Sequence, residues 1–174
     1  ARNLLLCLYC SRTCITRNER FIHSRIVLAL KYLALASLIV LYSLMFIGGY
    51  VSSAGLGLSC PEWPLCPNGV LPDAKYFIEW THRLVAVTTA TLVIATAVVT
   101  WINKNAGRKI KFTSAFAAIL VVTQITLGAI VINLKLHAVL VAIHLGVGIL
   151  LFAMVLLTAL FAFKIAKKPI ESKI

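Results

Sequence analysis

The sequence predicts an all-α integral membrane protein, folded as a bundle of four transmembrane helices. Apolar residues make up 61% of the 174 residues, compared with about 45–50% in a soluble domain. Charged residues amount to only 13%, and stretches such as 84–102 contain none. Because about 20 apolar residues cross the hydrocarbon core of a bilayer, the chain has room for about four crossings with short connections. This length leaves no room for a separate soluble catalytic domain.

The apolar segments place the four spans in chain order. They are predicted at Ile26 to Tyr50, Phe77 to Ile102, Phe112 to Leu134 and Leu136 to Phe163. A helical lead-in to the second span is expected from Asp73, a residue type that caps helix N-termini. The resulting organisation is a basic segment 1–25, a helical domain 26–163 with an outward loop 51–76, and a basic tail 164–174.

The formal net charge of +12 would suggest a nucleic-acid partner in a soluble protein. Here the basic residues lie beside the spans, with six up to Lys31, four in the second connection and four in the tail. Only Lys75, Arg83 and Lys135 lie on the other side. Because an excess of Lys and Arg marks the cytoplasmic side, the sequence predicts a multi-pass cell-membrane protein with both termini cytoplasmic and no nucleic-acid partner. The first apolar run, 4–8, is too short for a cleavable signal peptide.

The two halves of the chain share a pattern. A Gly-x-x-Val motif at 48–51 ends the first span, and the same motif at 128–131 lies near the end of the third. Each motif is followed by a span with a His in its outer half. The pattern predicts a duplicated helix pair, with a loop containing two cysteines added to the first copy.

Two histidines lie in spans that run in the same direction. At 1.5 Å per residue, His82 lies about 13.5 Å from Asp73 and His144 about 12 Å from Leu136, so the two imidazoles share one membrane level. This is the arrangement that ligates the iron of one haem from both sides. A helix–helix hydrogen bond is the alternative for each His, but the matched depth favours ligation. His137, two turns outward of His144, is interpreted as an interface residue or a neighbour of the haem edge.

Polar residues near the two histidines are further candidates. Glu79 precedes His82 by three residues and shares its helix face, which suits a proton acceptor, although the helix macrodipole also favours an acid there. Arg83 is predicted to pair with a haem propionate or to snorkel to the interface. Gln124 is interpreted as packing rather than as a substrate contact, and Gly128 leaves space for a ring or a close helix.

The five cysteines fall into two groups. Cys60 and Cys66 lie in the outward loop, where an oxidising environment makes a disulfide plausible. Cys7, Cys10 and Cys14 lie in the basic N-terminal segment. They lack a convincing fourth ligand for a metal ion, so they are interpreted as solvated thiols.

The chain resembles a known family in several strings of residues. These are Gly-Leu-Gly-Leu-Ser-Cys-Pro-Glu-Trp-Pro-Leu-Cys at 55–66 and Ile-Glu-Trp-Thr-His-Arg at 78–83, joined by the Gly-Gly-Tyr-Val string at 48–51. The run Gln-Ile-Thr-Leu-Gly-Ala at 124–129 and Ala-Ile-His-Leu at 142–145 fit the same pattern. Over about residues 47 to 160, the sequence is similar to the first half of heme A synthase.

The resemblance implies a function and roles for individual residues. The function is oxidation of the C8 methyl of heme O to the formyl of heme A, for haem-copper terminal oxidases, by successive hydroxylations with water-derived oxygen. His82 and His144 become axial ligands of the haem, Glu79 the catalytic acid or base, and Cys60 with Cys66 an outward redox-active pair. Heme O is the implied substrate and heme A the product, with haem b as a further occupant. An unknown electron acceptor and a heme O synthase are the implied partners.

The chain departs from the family in two ways. Family members usually have eight spans in two halves, whereas this chain carries one half, and the residue after the second loop cysteine is commonly His but is Pro67 here. Because four spans leave a haem with few walls, the working unit is predicted to be a homo-oligomer surrounded by membrane lipid. A non-catalytic bis-His cytochrome and a structural oxidase subunit are the alternative functions. Glu79 and the cysteine pair favour the enzyme, because electron transfer requires neither.

Overall fold

The computed structural model describes residues 2–60, 66 and 73–167, with side chains described from residue 24 onward. Its four helices are α1 (Arg2–Ser53), α2 (Phe77–Ile102), α3 (Arg108–Asn133) and α4 (Ala138–Lys167). The segment Ser24–Ser53 of α1 and the whole of the other three helices are long and apolar enough to cross a membrane. The predicted all-α, four-span fold class is therefore confirmed.

The start of α2 agrees with the predicted span, but its N-terminus is formed differently. Asp73 lies in a turn, in which the backbone N–H of Tyr76 donates to the carbonyl of Asp73 at 2.9 Å. Tyr76 occupies the N-cap position and makes no side-chain capping bond. The predicted lead-in and cap at Asp73 are therefore wrong, because the turn delays the helix until Phe77.

Both ends of the other three helices differ from the predicted spans. Helix α1 extends through the basic N-terminal segment, and α3 begins at Arg108 instead of Phe112. Leu136, predicted to begin the fourth span, instead lies with Lys135 in a left-handed turn, at φ values of 59° and 51°. The turn reverses the chain between α3 and α4, so α4 begins only at Ala138.

The helices pack in a ring in which α1 and α3 each contact both α2 and α4. Helices α2 and α4 therefore lie diagonally across the bundle. The end that carries the connections 54–76 and 134–137 is called the disulfide end below, and the end that carries the connection 103–107 the opposite end. A hydroxyl pair joins each hairpin inside the bundle, Ser37 with Thr96 at 3.1 Å and Thr158 with Thr113 at 3.0 Å.

The burial pattern repeats between the two hairpins. Adding 80 to the number of a buried residue of α1 gives a buried residue of α3, and adding 62 relates five buried positions of α2 to α4 in the same way. The pairs are Leu30 and Ile110, Ala34 and Ser114, Ser37 and Ala117, Leu41 and Val121, Val51 and Val131, Thr89 and Leu151, Val93 and Val155, Thr96 and Thr158, Ala97 and Ala159, and Thr100 and Ala162. This repeated packing supports the duplicated helix pair that the sequence predicts.

The ends of α1 and α3 repeat as well. The N–H of Leu56 donates to the carbonyl of Val51 at 3.0 Å, and the N–H of Leu136 donates to that of Val131 at 2.9 Å. Gly55 and Lys135, which precede the two donors, both have positive φ values. Both helices thus end in the same left-handed motif, which satisfies their terminal carbonyl groups.

Basic side chains collect at the opposite end of the bundle. Lys31 of α1 lies 5.1 Å from the ring centroid of Phe163, and Lys111 of α3 lies 5.9 Å from that of Trp101. Lysines and aromatic rings are typical of the membrane–water interface. The position of these residues at one end fits the predicted charge asymmetry, and the cytoplasmic location of that end stays a prediction.

Candidate functional site

The two predicted ligands lie near the disulfide end, on the diagonal helices. His82 is five residues from the start of α2 and His144 six residues from the start of α4, which places them about 7.5 Å and 9 Å along their helices. The structure therefore places the two histidines at similar depth on diagonal helices, and their pairing on one haem stays a prediction.

Each imidazole lies against a glycine of the preceding helix. A Cβ atom added to Gly48 of α1 would lie 3.0 Å from Cε1 of His82, and one added to Gly128 of α3 would lie 3.6 Å from Cε1 of His144. Gly48 and Gly128 are matching positions of the two hairpins. The duplicated unit thus consists of a histidine and the glycine that makes room for its ring.

The histidine rings fit the donor set of a bis-His haem site. Nδ1 of His82 and Nδ1 of His144 are both buried and have no hydrogen-bond partner among the described residues, although buried polar atoms are normally paired. Within the same part of the chain, no group of three or more His, Cys, Asp or Glu side chains is arranged to hold a bare metal ion. Two imidazoles are sufficient for a haem, because the macrocycle supplies the other iron ligands.

The interior around the histidines is less completely filled than the rest of the bundle. Toward the opposite end, the inward-facing residues of α1 and α3 are buried. In the disulfide half, the inward-facing positions of the same helices are only half-buried, namely Leu44, Ile47, Gly48, Gln124, Leu127 and Gly128. The inward-facing positions beside the histidines thus keep more accessible surface than those toward the opposite end.

Glu79 is buried, with 3% of its surface exposed, and its carboxylate holds the loop that precedes α2. Oε2 accepts hydrogen bonds from the Ser59 hydroxyl at 2.9 Å and from the Cys60 N–H at 2.8 Å. Oε1 accepts a hydrogen bond from Nη2 of Arg83 at 2.6 Å. A carboxylate with three donors is well satisfied, so Glu79 anchors Cys60 to the helix that carries His82.

Arg83 completes this anchor from the other side. Its Nη2 donates to the carbonyl of Cys60 at 2.7 Å as well as to Glu79. Glu79 and Arg83 therefore bind the N–H and the carbonyl of Cys60, respectively. The contact of Arg83 with a haem propionate, expected from the sequence, stays a prediction.

The predicted disulfide is present between Cys60 and Cys66, with their Cα atoms 5.1 Å apart. Both cysteines are buried. The two connections at this end also meet, because a Cβ added to Gly57 would lie 3.2 Å from the side chain of Leu136. The disulfide therefore closes a short loop directly above the histidine level.

The remaining residues singled out in the sequence lie away from the two histidines or outside the described residues. His137 is exposed at the start of α4, where its carbonyl accepts a hydrogen bond from the N–H of Val141 at 3.1 Å. The side chains of Cys7, Cys10 and Cys14 lie outside the described residues, as do Pro67 and the end of the tail, 168–174.

Gln124 takes part in the site in a way that the sequence did not reveal. Its Oε1 is buried without a hydrogen-bond partner among the described residues. A Cβ added to Gly148 of α4 would lie 2.8 Å from its Nε2. The signal in the sequence is an amide in the middle of a mostly apolar span, and the facing glycine is separated from it by 24 positions.

Comparisons with known proteins agree with this architecture. Residues 72–173 match the model of a family described as cytochrome oxidase assembly protein. The heme A synthase of Bacillus licheniformis is 33% identical over 143 residues, which cover 80% of this chain and 47% of that protein. The heme A synthase of Bacillus pumilus is 33% identical over 140 residues, covering 78% and 46%.

A protein that is not named as a heme A synthase also matches part of the chain. Protoheme IX farnesyltransferase 1 of Natronomonas pharaonis is 36% identical over 118 residues, covering 68% of this chain and 25% of that protein. The chain spans about half the length of the heme A synthases that it matches. Since the family model covers more than half of the chain and agrees with the named relatives, the chain belongs to the heme A synthase family of cytochrome oxidase assembly proteins.

Proposed function

We propose that this chain is an oxidoreductase that converts the C8 methyl of heme O to the formyl of heme A during biogenesis of terminal oxidases. The conversion of a methyl to a formyl group consumes one water and releases four electrons and four protons. The electrons pass to a separate acceptor. The bound haem is the substrate, and its iron and conjugated ring make the methyl group oxidisable.

One observation carries this proposal: the two histidines lie at similar depth on the diagonal helices α2 and α4, and their Nδ1 atoms are buried without a hydrogen-bond partner among the described residues. His82 and His144 would hold the iron axially, each backed by its glycine. The names of the relatives support a haem of the heme O and heme A type. A non-catalytic cytochrome would explain the histidines, but the relatives do not favour it.

Glu79 is proposed as the group that accepts protons from the reacting substituent. It lies one turn from His82 on the same helix, within the buried part of the site. Its three hydrogen-bond partners are all donors, and only one of them bonds Oε1. A carboxylate has about four acceptor sites, so one site on Oε1 is left for a proton while the three donors hold the group in place.

The experiment that tests this function supplies heme O to the purified protein in detergent or lipid, together with a chemical electron acceptor. Extraction of the pigment and mass measurement should show the hydroxylated intermediate and heme A. A variant with both His82→Ala and His144→Ala serves as the control without ligands. If only haem b is bound and heme O stays unchanged, the cytochrome is the correct function.

The proposed partners follow from the same chemistry. A heme O synthase would supply the substrate. A protein named protoheme IX farnesyltransferase 1 supports this partner, because part of its sequence is similar to this chain. The acceptor of the electrons has no candidate among the described residues. Membrane lipid surrounds the bundle, and the working unit is proposed to be a homo-oligomer.

A further inference from the structure

We propose that Gln124 sets the orientation of the bound macrocycle, by accepting a hydrogen bond from a hydroxyl group on one of its substituents. This inference rests on the proposed function, because it takes the haem site between α2 and α4 as its starting point.

The first observation is the unsatisfied oxygen of the side chain. Oε1 of Gln124 is buried and has no hydrogen-bond partner among the described residues. Leaving a buried acceptor unpaired costs about 1–3 kcal/mol, and in a membrane no bulk water compensates for it. A ligand that donates to this oxygen would remove the cost.

The second observation is the space built around the amide. Gly148 lies one turn beyond His144 on α4, and a Cβ there would lie only 2.8 Å from Nε2 of Gln124. Gln124 itself lies one turn from Gly128, which contacts the ring of His144. The carboxamide is therefore packed directly beside a proposed ligand, in a position that requires glycine on the facing helix.

The third observation is the symmetry of the surrounding walls. The position of the first hairpin that matches Gln124 is Leu44, and both residues are half-buried. A macrocycle held between two equivalent histidines can enter in either of two orientations, unless the walls differ. Oxidation of one particular methyl group requires a single orientation.

Glu79 and Arg83 also lack a counterpart in the second hairpin, but both are bonded to Cys60 of the disulfide loop. Val141 and Leu145 match Glu79 and Arg83 in the second hairpin. The two oxygens of Glu79 already accept three hydrogen bonds. The unpaired Oε1 of Gln124 is therefore the group best placed to distinguish the two orientations.

The atom that is unpaired determines the chemistry of its partner. A carboxamide oxygen only accepts hydrogen bonds, so the partner must be a donor. Heme O carries a hydroxyl group next to its farnesyl chain, whereas haem b carries none. Gln124 should therefore strengthen the binding of heme O and leave that of haem b unchanged.

The first test compares these two haems in the absence of an electron acceptor, so that no turnover occurs. Gln124→Leu introduces the residue that the first hairpin has at this position, and Gln124→Met retains the length of the side chain. Both should bind heme O about twofold to tenfold more weakly, the effect of one neutral hydrogen bond, with haem b affinity unchanged. Val122→Leu, at an exposed position of α3, is the control and should change neither. Equal losses for both haems, or no loss for heme O, would overturn the proposal.

The second test measures orientation directly, from the NMR resonances of the methyl groups of bound heme O. The natural chain should show one set of resonances, and Gln124→Leu should show two. The double variant Leu44→Gln with Gln124→Leu should favour the reversed orientation. A single, unchanged set in both variants would overturn the inference. A chain that passes both tests without oxidising heme O would contradict only the proposed function.

Discussion

At the scale of single residues, the structure adds a second role to the one that the sequence predicts for Glu79. Its spacing from His82 suggests a proton acceptor, but its carboxylate also binds the backbone of Cys60 and the side chain of Arg83. A buried ion pair is costly to break by removal of one partner. Glu79 therefore connects the disulfide loop to the ligand helix, and any role in chemistry is combined with this structural one.

Replacement of either His82 or His144 by Ala is expected to remove one axial ligand of the bound haem. Even the outer partners of metal ligands typically affect binding by about 10–100-fold, so we expect about a tenfold or greater loss of haem affinity. The low-spin absorption spectrum should change in both variants. His137→Ala, at the exposed turn, is the control and should retain the spectrum. Unchanged spectra in both ligand variants would contradict axial ligation.

Glu79→Gln is expected to retain bound haem and to stop oxidation, or to stall it at the alcohol. A carboxamide has one acceptor oxygen, so it cannot satisfy both the Cys60 N–H and the Arg83 guanidinium. The Cys60–Cys66 disulfide should therefore also be reduced faster by an added thiol. Mass measurement of the extracted haem and a thiol-labelling time course report the two effects separately.

Ser59→Ala is the matched control for that variant. It removes one donor from Oε2 of Glu79 and leaves the bonds from Cys60 and Arg83 in place. Loss of one hydrogen bond costs about 1 kcal/mol, so heme O oxidation should persist. Full oxidation by Glu79→Gln would show that another group accepts the proton.

At the scale of helices, the repeated unit is a glycine on one helix that faces a histidine on the next. The two pairs are not equally tight, since the distances from an added Cβ to the ring are 3.0 Å at Gly48 and 3.6 Å at Gly128. The first distance is shorter than normal contact and the second is ordinary van der Waals contact. The first hairpin therefore tolerates less added side-chain volume at its glycine than the second.

Gly48→Ala is expected to push the His82 ring by a few tenths of an ångström and to weaken haem binding, because a well-packed site tolerates little added volume. Gly128→Ala should bind haem nearly as the natural chain does. Gly49→Ala, where an added Cβ meets nothing within 4 Å, controls for the effect of alanine in the helix. Haem titration of the three variants measures the difference. Equal effects at Gly48 and Gly49 would contradict the packing argument.

At the scale of the whole molecule, the charge distribution predicts the orientation in the membrane. The described basic residues of the connection 103–107, the start of α3 and the end of α4 all lie at the end of the bundle opposite the disulfide. Because Lys and Arg are retained on the cytoplasmic side, the disulfide end should face outward, where oxidation is favoured.

Single cysteines introduced into a chain in which Cys7, Cys10 and Cys14 are replaced by Ser can measure this orientation in intact cells. Lys135→Cys should react with a thiol reagent that does not cross the membrane, because Lys135 is exposed in the turn at the disulfide end. Asn105→Cys, in the connection at the opposite end, should react only after the cells have been opened. The reverse labelling would show the opposite orientation.

The oligomeric state is the last prediction at this scale. The half-filled interior at the disulfide end and the exposed apolar helix faces leave a haem with few protein walls. A second copy of the chain would supply such walls, and the matched relatives are about twice as long as the aligned region. Mass measurement in native-like lipid should therefore show an active species with at least two chains. Activity of a species with one chain would contradict the prediction.

The amino-acid sequence was sufficient to predict the number of membrane spans and the bounds of α2. These features depend on local composition and on the regular rise of a helix, both of which can be read along the chain. The sequence was less informative at helix ends. Leu136 is apolar and was assigned to a span, yet it lies in a left-handed turn, because that turn repeats the one that ends α1.

Composition, helical rise and loop position are sufficient to predict the fold class, the shared level of the two histidines and the Cys60–Cys66 disulfide. The folded bundle is needed to show which other segments contribute to the site. Ser59 and Cys60, which donate to Glu79, and Gly148, which faces Gln124, all lie outside the helix of the residue they contact. Such contacts depend on the rotation and register of neighbouring segments, which a local sequence pattern does not contain.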